Sequence, residues 1–234
     1  MESLISPVNR CLIIAAAPKE VDAALAAFPG VIRPCPPIGQ AIPLDDRFDL
    51  VYSGVGKASA AAATARALTL GSYSSAISIG IAGSLPSENT IQIGQSIAAK
   101  RSCFSDEGIG APDGFTPISD LGFAPFPAGT MWIDHDQQLT DFLASFTHTT
   151  GTIATVSWCS GDDGCAQGVV NRTAAIAEAM EGAAVAVAAQ MIDPSIRTGE
   201  LRVISNTTGD RAKQVWDLDL ALAALTRVLG RLHT

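Results

Sequence analysis

Lysine and arginine are scarce in this sequence. Its 234 residues include 15 Lys and Arg against 23 Asp and Glu, so the formal net charge at pH 7 is -8. A nucleic-acid groove needs clustered basic side chains that displace counterions from the phosphates. No such cluster occurs in the sequence, and we predict no nucleic-acid partner.

Cysteine and histidine are also few. The five cysteines are odd in number and scattered, without the paired spacing of a zinc site, which predicts reduced thiols. His135, His148 and His233 form no cluster that could hold a metal or serve a catalytic triad. We therefore predict no metal and no cofactor, and we expect each histidine at the surface or in a loop.

Long hydrophobic runs are missing although 47% of the residues are hydrophobic. No stretch of about 18 apolar residues free of helix breakers is present, so we predict no membrane span. Met1, Glu2 and Ser3 supply no basic leader, which predicts no signal peptide and a cytoplasmic location. The length suits a single domain over residues 1–234, and no linker divides it.

Short apolar runs alternate with alanine-rich segments, which is typical of an α/β protein. The first run, residues 11–17, suits a strand buried on both faces. Further strands are predicted around residues 49–56, 75–85, 91–100, 151–157 and 200–205, and helices over residues 18–28, 57–70, 134–147 and 217–232. Residues 105–127 are predicted to form a long polar loop that serves substrate specificity or subunit contact.

Two glutamates stand in the small and apolar segment of residues 174–192. An ionised carboxylate withdrawn from water is unstable unless donors bind it, so Glu178 and Glu181 are candidates for a binding site. A second interpretation of Glu181 is that it caps the helix that follows, since carboxylates are favoured in a first helical turn.

Glu20 lies just beyond the first predicted strand. Open α/β sheets bind ligands at the carboxyl ends of their strands, which makes Glu20 a site candidate. The alternative is a first-turn glutamate that only serves the helix dipole. Gly80 and Gly83 likewise allow the backbone close approach to a ligand, or merely a tight turn.

Three motifs resemble the nucleoside phosphorylase and nucleosidase superfamily. They are Glu-Val at residues 20–21, Ala-Met-Glu-Gly-Ala-Ala at residues 179–184 and Arg-Val-Ile-Ser-Asn at residues 202–206. The resemblance implies a three-layer α/β/α sandwich with a central mixed twisted sheet. It also implies cleavage of the N-glycosidic bond of a small purine nucleoside by a homo-oligomer, a dimer or larger.

The same resemblance implies roles for individual residues. A strand would end at Met180, and Glu181 would bind the ribose 2′ and 3′ hydroxyls. Glu20 would activate the attacking water, which Arg202 would help to position. Ala82 and Gly83 would border the ribose. Trp158 is a candidate for stacking on the purine, with structural packing as the alternative.

Asn206 stands where adenine-specific nucleosidases carry aspartate. An amide offers both donors and an acceptor, so it can donate to O6 of a 6-oxopurine while accepting from a protonated N7. One of these contacts would clash with adenine, and an unmatched buried pair costs about 1–3 kcal/mol. We therefore predict a 6-oxopurine nucleoside as substrate, unless Asn206 is merely a surface-loop residue.

Water is the predicted nucleophile, because residues 78–81 carry none of the arginine that phosphorylases place near this turn. Nucleosidases often have serine, which bonds the water, at the place of Ile81. Three alternatives stay open: a methylthioadenosine and S-adenosylhomocysteine nucleosidase, a 6-oxopurine nucleoside phosphorylase, and a non-catalytic relative.

Overall fold

The computed structural model describes residues 10–28, 30, 34–87, 90–112, 114–123 and 129–233. The strands are β1 (Cys11–Ala15), β2 (Ala41–Pro43), β3 (Phe48–Tyr52), β4 (Ser75–Ser84), β5 (Ser96–Phe104), β6 (Gly108–Ala111), β7 (Gly114–Pro117), β8 (Trp132–Asp134), β9 (Thr149–Thr155), β10 (Ala177–Ala179) and β11 (Arg197–Thr207). The α-helices are α1 (Pro18–Ala27), α2 (Lys57–Leu70), α3 (Gln137–Ala144), α4 (Asp163–Thr173), α5 (Gly182–Ile192) and α6 (Leu218–Leu229), and 3-10 turns cover Ile118–Leu121 and Gly230–His233.

Nine of the strands form one sheet in the order β10-β9-β5-β11-β4-β1-β3-β2, with β8 added to β5. β1 runs parallel to β3 and β4, and β4 parallel to β11, whereas β5 is antiparallel to β11. β10 pairs with β9 on one side and with the end of β4 on the other, so this end of the sheet curls back on itself. The predicted mixed sheet is confirmed.

Alternate side chains of β1 enter two different cores, which creates the three layers. Ile13 packs with α1, α3 and α6 on one face of the sheet. Leu12 and Ile14 pack with α2 and α5 on the opposite face. Because successive strand residues point to opposite faces, an unbroken apolar run is what a strand covered on both sides requires. The predicted three-layer sandwich is therefore confirmed.

Three predicted segments differ from the structure. The strand expected around residues 91–100 is displaced along the chain, because β5 begins only at Ser96 and ends at Phe104. The helix expected over residues 134–147 is shorter, because Asp134 ends β8 and the side chain of Asp136 caps α3 by accepting the Leu139 N–H. The loop expected over residues 105–127 contains the β6–β7 hairpin, while residues 113 and 124–128 lie outside the described part. The glycines of this hairpin hide the alternation that indicates strands.

Across the described ranges, no helix has the length and apolar character needed to cross a membrane.

Candidate functional site

A cavity of about 200 Å³ opens at the carboxyl ends of β1, β4 and β11. These strands run parallel, so the residues that follow β1 meet the last residues of β4 and β11 at one edge of the sheet. The lining residues are Ala16, Ala17, Glu20, Val55, Ile81, Ala82, Gly83, Cys159, Glu178, Ala179, Met180, Glu181, Ser205, Asn206 and Trp216.

The carboxylate of Glu20 is held by three backbone N–H groups. Its Oε2 accepts from Ala16 at 3.1 Å and from Ala17 at 2.9 Å, and its Oε1 accepts from Ile81 at 2.8 Å. Pro18 opens α1 and Glu20 occupies its first turn, so the residue also satisfies donors at the helix start. Burial raises the pKa of Glu20 above its ordinary value, although the Arg202 charge and these hydrogen bonds oppose the rise.

Glu181 occupies the position before α5, but its side chain does not cap that helix. Instead, Oε1 accepts from the Gly56 N–H at 3.0 Å, and Oε2 lies 3.3 Å from Nη1 of Arg202. The capping interpretation of the Glu181 side chain is therefore wrong. β10 also ends at Ala179, one residue before the predicted Met180, since Met180 and Glu181 turn the chain into α5.

Arg202 lies behind the cavity, where it is almost completely buried. Its Nε donates to Oε1 of Glu200 at 2.8 Å, and its Nη2 donates to Oγ of Ser78 at 2.8 Å. Its Nη1 lies near Glu181 as well, so the guanidinium of Arg202 orients the two buried carboxylates of Glu181 and Glu200. A fork of fixed donors suits this task better than a lysine ammonium would.

Glu200 is a member of this network to which the sequence analysis assigned no role. It is fully buried and accepts hydrogen bonds from Arg202 and from Oγ of Ser102. Glu200 and Arg202 are two residues apart in β11, so their side chains lie on the same face of the strand. Two opposite charges at this spacing within a buried strand are the sequence signal that indicates a buried ion pair. His135 lies in the loop between β8 and α3, in agreement with the expectation of a surface or loop position, although its ring is buried with Nε2 4.0 Å from Glu200. Burial lowers the pKa of His135.

Asn206 lies within β11, immediately after a shift in the register with β4. It is only 7% exposed, so the surface-loop alternative is wrong. Its Oδ1 accepts from Oγ of Ser205 at 2.8 Å, and its Nδ2 donates to the Thr207 carbonyl at 2.9 Å. One amide hydrogen and one lone pair stay free of these two bonds, which is what recognition of a polar base edge requires.

The model of the phosphorylase superfamily matches residues 46–233. The sequence is 38% identical to the futalosine hydrolase of Acidothermus cellulolyticus, with 94% of this chain and 89% of the relative covered. It is 36% identical to the futalosine hydrolase of Streptomyces coelicolor, with 94% of each chain covered.

The chain belongs to the phosphorylase superfamily, in its futalosine hydrolase family. Solved structures show the same fold at lower identity. The native futalosine hydrolase of Helicobacter pylori has a TM-score of 0.74 at 19% identity, covering 97% of each chain. The methylthioadenosine/S-adenosylhomocysteine nucleosidase of the same species, solved with butyl-thio-DADMe-Immucillin-A, has a TM-score of 0.75 at 20% identity, covering 96% of this chain and 97% of that chain. The family predicted from the three motifs is confirmed.

In this member of the phosphorylase superfamily, the cavity brings together most of the site residues expected from the sequence. Six of them line it directly: Glu20, Ala82, Gly83, Met180, Glu181 and Asn206. Arg202 reaches the cavity through Glu181. Trp158 is not brought to it, because this side chain is 62% exposed and lines a separate cavity of about 520 Å³ beside α4. The aromatic residue beside Asn206 is Trp216, which the sequence analysis missed.

Metal ligands are not gathered at this site. Over the described ranges of the chain, no three His, Cys, Asp or Glu side chains are placed so that they could share a metal ion. The lining of the cavity contains the carboxylates of Glu20, Glu178 and Glu181 and no lysine or arginine.

Gly80 provides a sensitive test of the packing behind Glu20. A β-carbon at Gly80 would lie 2.3 Å from Oε1 of Glu20 and 2.6 Å from Nη1 of Arg202. We expect Gly80→Ala to displace both groups, to lower the free energy of unfolding by about 1–3 kcal/mol and to abolish any activity that depends on Glu20. Denaturant unfolding and a turnover assay measure the two effects. Gly110→Ala is the control, because open space surrounds that position; equal behaviour of the two variants would contradict the packing argument.

Proposed function

We propose that this protein hydrolyses the N-glycosidic bond of futalosine and releases hypoxanthine and dehypoxanthine futalosine. The observation that carries the proposal is the convergence of Glu20, Glu181 and Asn206 on one cavity, in a chain related to futalosine hydrolases over most of its length. This activity would place the protein in menaquinone biosynthesis.

Glu20 is proposed to take a proton from the attacking water. Its carboxylate is fixed by three N–H donors, so the remaining lone pairs have one defined direction into the cavity. A raised pKa suits a general base, because a stronger base accepts the proton more readily near neutral pH. The bond between the ribose and the purine breaks through an oxocarbenium-like state while the oxygen of this water bonds to the opposite face of the ribose carbon. The departing purine takes up one proton from solvent and leaves as neutral hypoxanthine.

Glu181 is proposed to bind the ribose hydroxyls. Arg202 on one oxygen and the Gly56 N–H on the other prevent the side chain from turning away. An ionised carboxylate held in this way accepts the two vicinal hydroxyls as donors, and charge-assisted hydrogen bonds are about twice as strong as neutral ones. Arg202 thus acts as a positioning residue for Glu181, and its help in positioning the attacking water stays a prediction.

Water is favoured over phosphate by the charge of the cavity. Of the described residues, those that line it include three carboxylates and no cation. Bringing a phosphate anion within a few ångströms of these carboxylates is unfavourable in a partly desolvated site. This argues against the phosphorylase alternative, and the presence of Glu20, Glu181 and Arg202 together argues against a non-catalytic relative.

Turnover of four substrates tests the proposal. Purified protein is incubated with futalosine, inosine, methylthioadenosine and S-adenosylhomocysteine, each with and without phosphate, and the released base is quantified by chromatography. We expect hypoxanthine from futalosine at a rate independent of phosphate. Adenine from methylthioadenosine with none from futalosine would establish the nucleosidase alternative, and a requirement for phosphate would establish the phosphorylase.

Asn206→Asp is expected to change the choice of base. The aspartate carboxylate has no donor for O6 of a 6-oxopurine, and a lost or opposed hydrogen bond of about 1–3 kcal/mol predicts roughly tenfold or greater loss of kcat/KM for futalosine. Turnover of the 6-amino analogue of futalosine should rise, because the carboxylate accepts from the amino group.

The matched control is Asn171→Asp on the exposed face of α4, which makes the same chemical change outside the cavity. If Asn206→Asp kept the wild-type ratio of the two kcat/KM values, Asn206 would have no part in base selection.

The protein is further proposed to act as a homo-oligomer. Two residues that line the cavity have exposed apolar side chains: Val55 is 55% exposed and Trp216 48%. Leu218 and Leu220 follow Trp216 in the sequence and are 36% and 43% exposed. A second copy that covered these side chains would remove apolar surface from water beside the cavity. Sedimentation velocity giving only a monomer would contradict this.

The cytoplasmic location and the single domain over residues 1–234 stay predictions.

A further inference from the structure

Glu178 is a third buried carboxylate of the cavity, and the reaction proposed above does not use it. It lies in β10 with 2% of its surface exposed. Its oxygens accept from the backbone N–H and from Oγ of Ser160, both at 2.7 Å. In the described part of the chain Glu178 has no ion pair, and burial raises its pKa. A buried carboxylate without a neighbouring cation is strongly stabilised by any further hydrogen-bond donor that enters the cavity.

The register of the sheet places Glu178 opposite Asn206. Glu178 of β10 pairs with Gly83 of β4, and Gly83 also pairs with Asn206 of β11. Directly paired residues direct their side chains to the same face of a sheet, and adjacent strands lie about 4.8 Å apart. The carboxyl and the amide therefore stand on either side of Gly83, on one face.

Gly83 allows these two side chains to lie close together. A β-carbon at this position would lie 2.8 Å from Cγ2 of Thr208, 3.2 Å from Nδ2 of Asn206 and 3.5 Å from Cγ of Glu178. Glu178 and Asn206 both line the cavity, so a planar base that enters it can contact the carboxyl and the amide with neighbouring polar atoms.

We propose that Glu178 is a specificity-determining residue that accepts the N1–H of a 6-oxopurine while Asn206 contacts O6 and N7. The inference rests on the proposed function, because it requires a 6-oxopurine as the leaving base. N1 of a 6-aminopurine carries no hydrogen and presents a lone pair to the carboxylate. A site built to bond a substrate N–H rejects an analogue that lacks it, because the buried acceptor is then left unpaired.

The hydrogen-bonding capacity of Glu178 allows this role. A carboxylate has about four lone-pair sites, and the N–H and the hydroxyl of Ser160 account for two of them. Both Ser160 groups act as donors to Glu178, which fixes its plane and favours the ionised form. A purely structural role is the competing explanation, in which Glu178 only anchors residues 157–162 through Ser160.

Binding of free bases distinguishes the two explanations. Hypoxanthine, 1-methylhypoxanthine and adenine are titrated by calorimetry into the wild type and into Glu178→Met, Glu178→Gln and Ser160→Ala. We expect the wild type to bind hypoxanthine at least tenfold more tightly than either other base. Glu178→Met should bring the ratio for 1-methylhypoxanthine close to one and should lower the ratio for adenine, which Asn206 still disfavours. Glu178→Gln should lower both ratios partially, because its acceptor is uncharged. Ser160→Ala keeps the carboxylate and should keep the ratios.

Two results would overturn the inference. If the Glu178 variants weakened all three bases equally, the residue would only hold the Ser160 segment. If the wild type did not prefer hypoxanthine, Glu178 would not be accepting a hydrogen bond from N1–H. Hydrolysis of futalosine by the wild type, measured alongside, shows whether the proposed function fails as well or whether only the assignment of Glu178 does. If Glu178→Met does not fold, the test depends on Glu178→Gln, in which the preference for hypoxanthine should be partly lost.

Discussion

Glu20→Gln is expected to lower kcat by about 10²–10⁴-fold, the range that a general base contributes, with little change in KM. The amide cannot accept a proton from water, although its size matches that of the carboxylate. Ala16, Ala17 and Ile81 together present three N–H donors to the glutamate, and an amide with one oxygen cannot satisfy all of them. Stopped-time assays of base release, combined with calorimetric binding of substrate, separate the loss of chemistry from a loss of binding.

The dependence of kcat on pH supplies a second measurement. Because burial raises the pKa of Glu20, the ionised base is lost on acidification at a higher pH than for an ordinary glutamate. The acidic limb of the wild-type profile should therefore be displaced upward in pH, and the residual activity of Glu20→Gln should lack this limb. Asp22→Asn, on the exposed side of α1, is the matched control and should retain the wild-type profile. A Glu20→Gln enzyme within tenfold of wild-type kcat would remove Glu20 from the mechanism.

Arg202→Met should produce the largest loss of stability. The substitution keeps an unbranched side chain of similar length but removes the cation that Glu181 and Glu200 share. Breaking a buried ion pair by removing one partner lowers the free energy of unfolding by about 3–5 kcal/mol, a large part of the stability of a typical domain. Urea unfolding at neutral pH measures this difference.

The sign of the pH dependence identifies the cause. In the wild type the Arg202 charge opposes the rise that burial causes in the pKa of Glu20, so Arg202→Met raises this pKa further above its unfolded value. The variant is then least destabilised below the unfolded pKa, where Glu20 is protonated in both states, and the deficit grows as pH rises through the raised folded pKa. Lys213→Met is the control, because the Lys213–Asp210 pair is largely exposed and should contribute little. A deficit that did not change with pH would indicate lost packing and not stranded charge.

The order of strands and helices was largely predictable from local pattern. The boundaries of α2 agree with the predicted residues 57–70, and β1 and α1 lie within the predicted segments. Alanine-rich periodic segments and unbroken apolar runs contain this information within a few residues of chain. The hairpin of β6 and β7 was missed, because its glycines carry no such pattern.

The candidate residues of the site were also predictable from the sequence, whereas their partners were not. Glu20, Glu181 and Asn206 were expected at a purine nucleoside site, and all three line the cavity. Trp158 was expected there as well, but its position beside α4 depends on how the segment after β9 turns. Trp216, which lies by the cavity instead, belongs to a segment whose course only the folded chain specifies.

Residue types and their spacing along the chain were enough to predict the α/β class, the superfamily and the candidate residues for water, sugar and base. Only the folded chain shows that Arg202 joins Glu181 to Glu200, and that Glu178 faces Asn206 across Gly83. Residue type and periodicity are local properties of the chain. Distances between distant residues depend on strand register, and a shift of one residue would turn these side chains to the opposite face of the sheet.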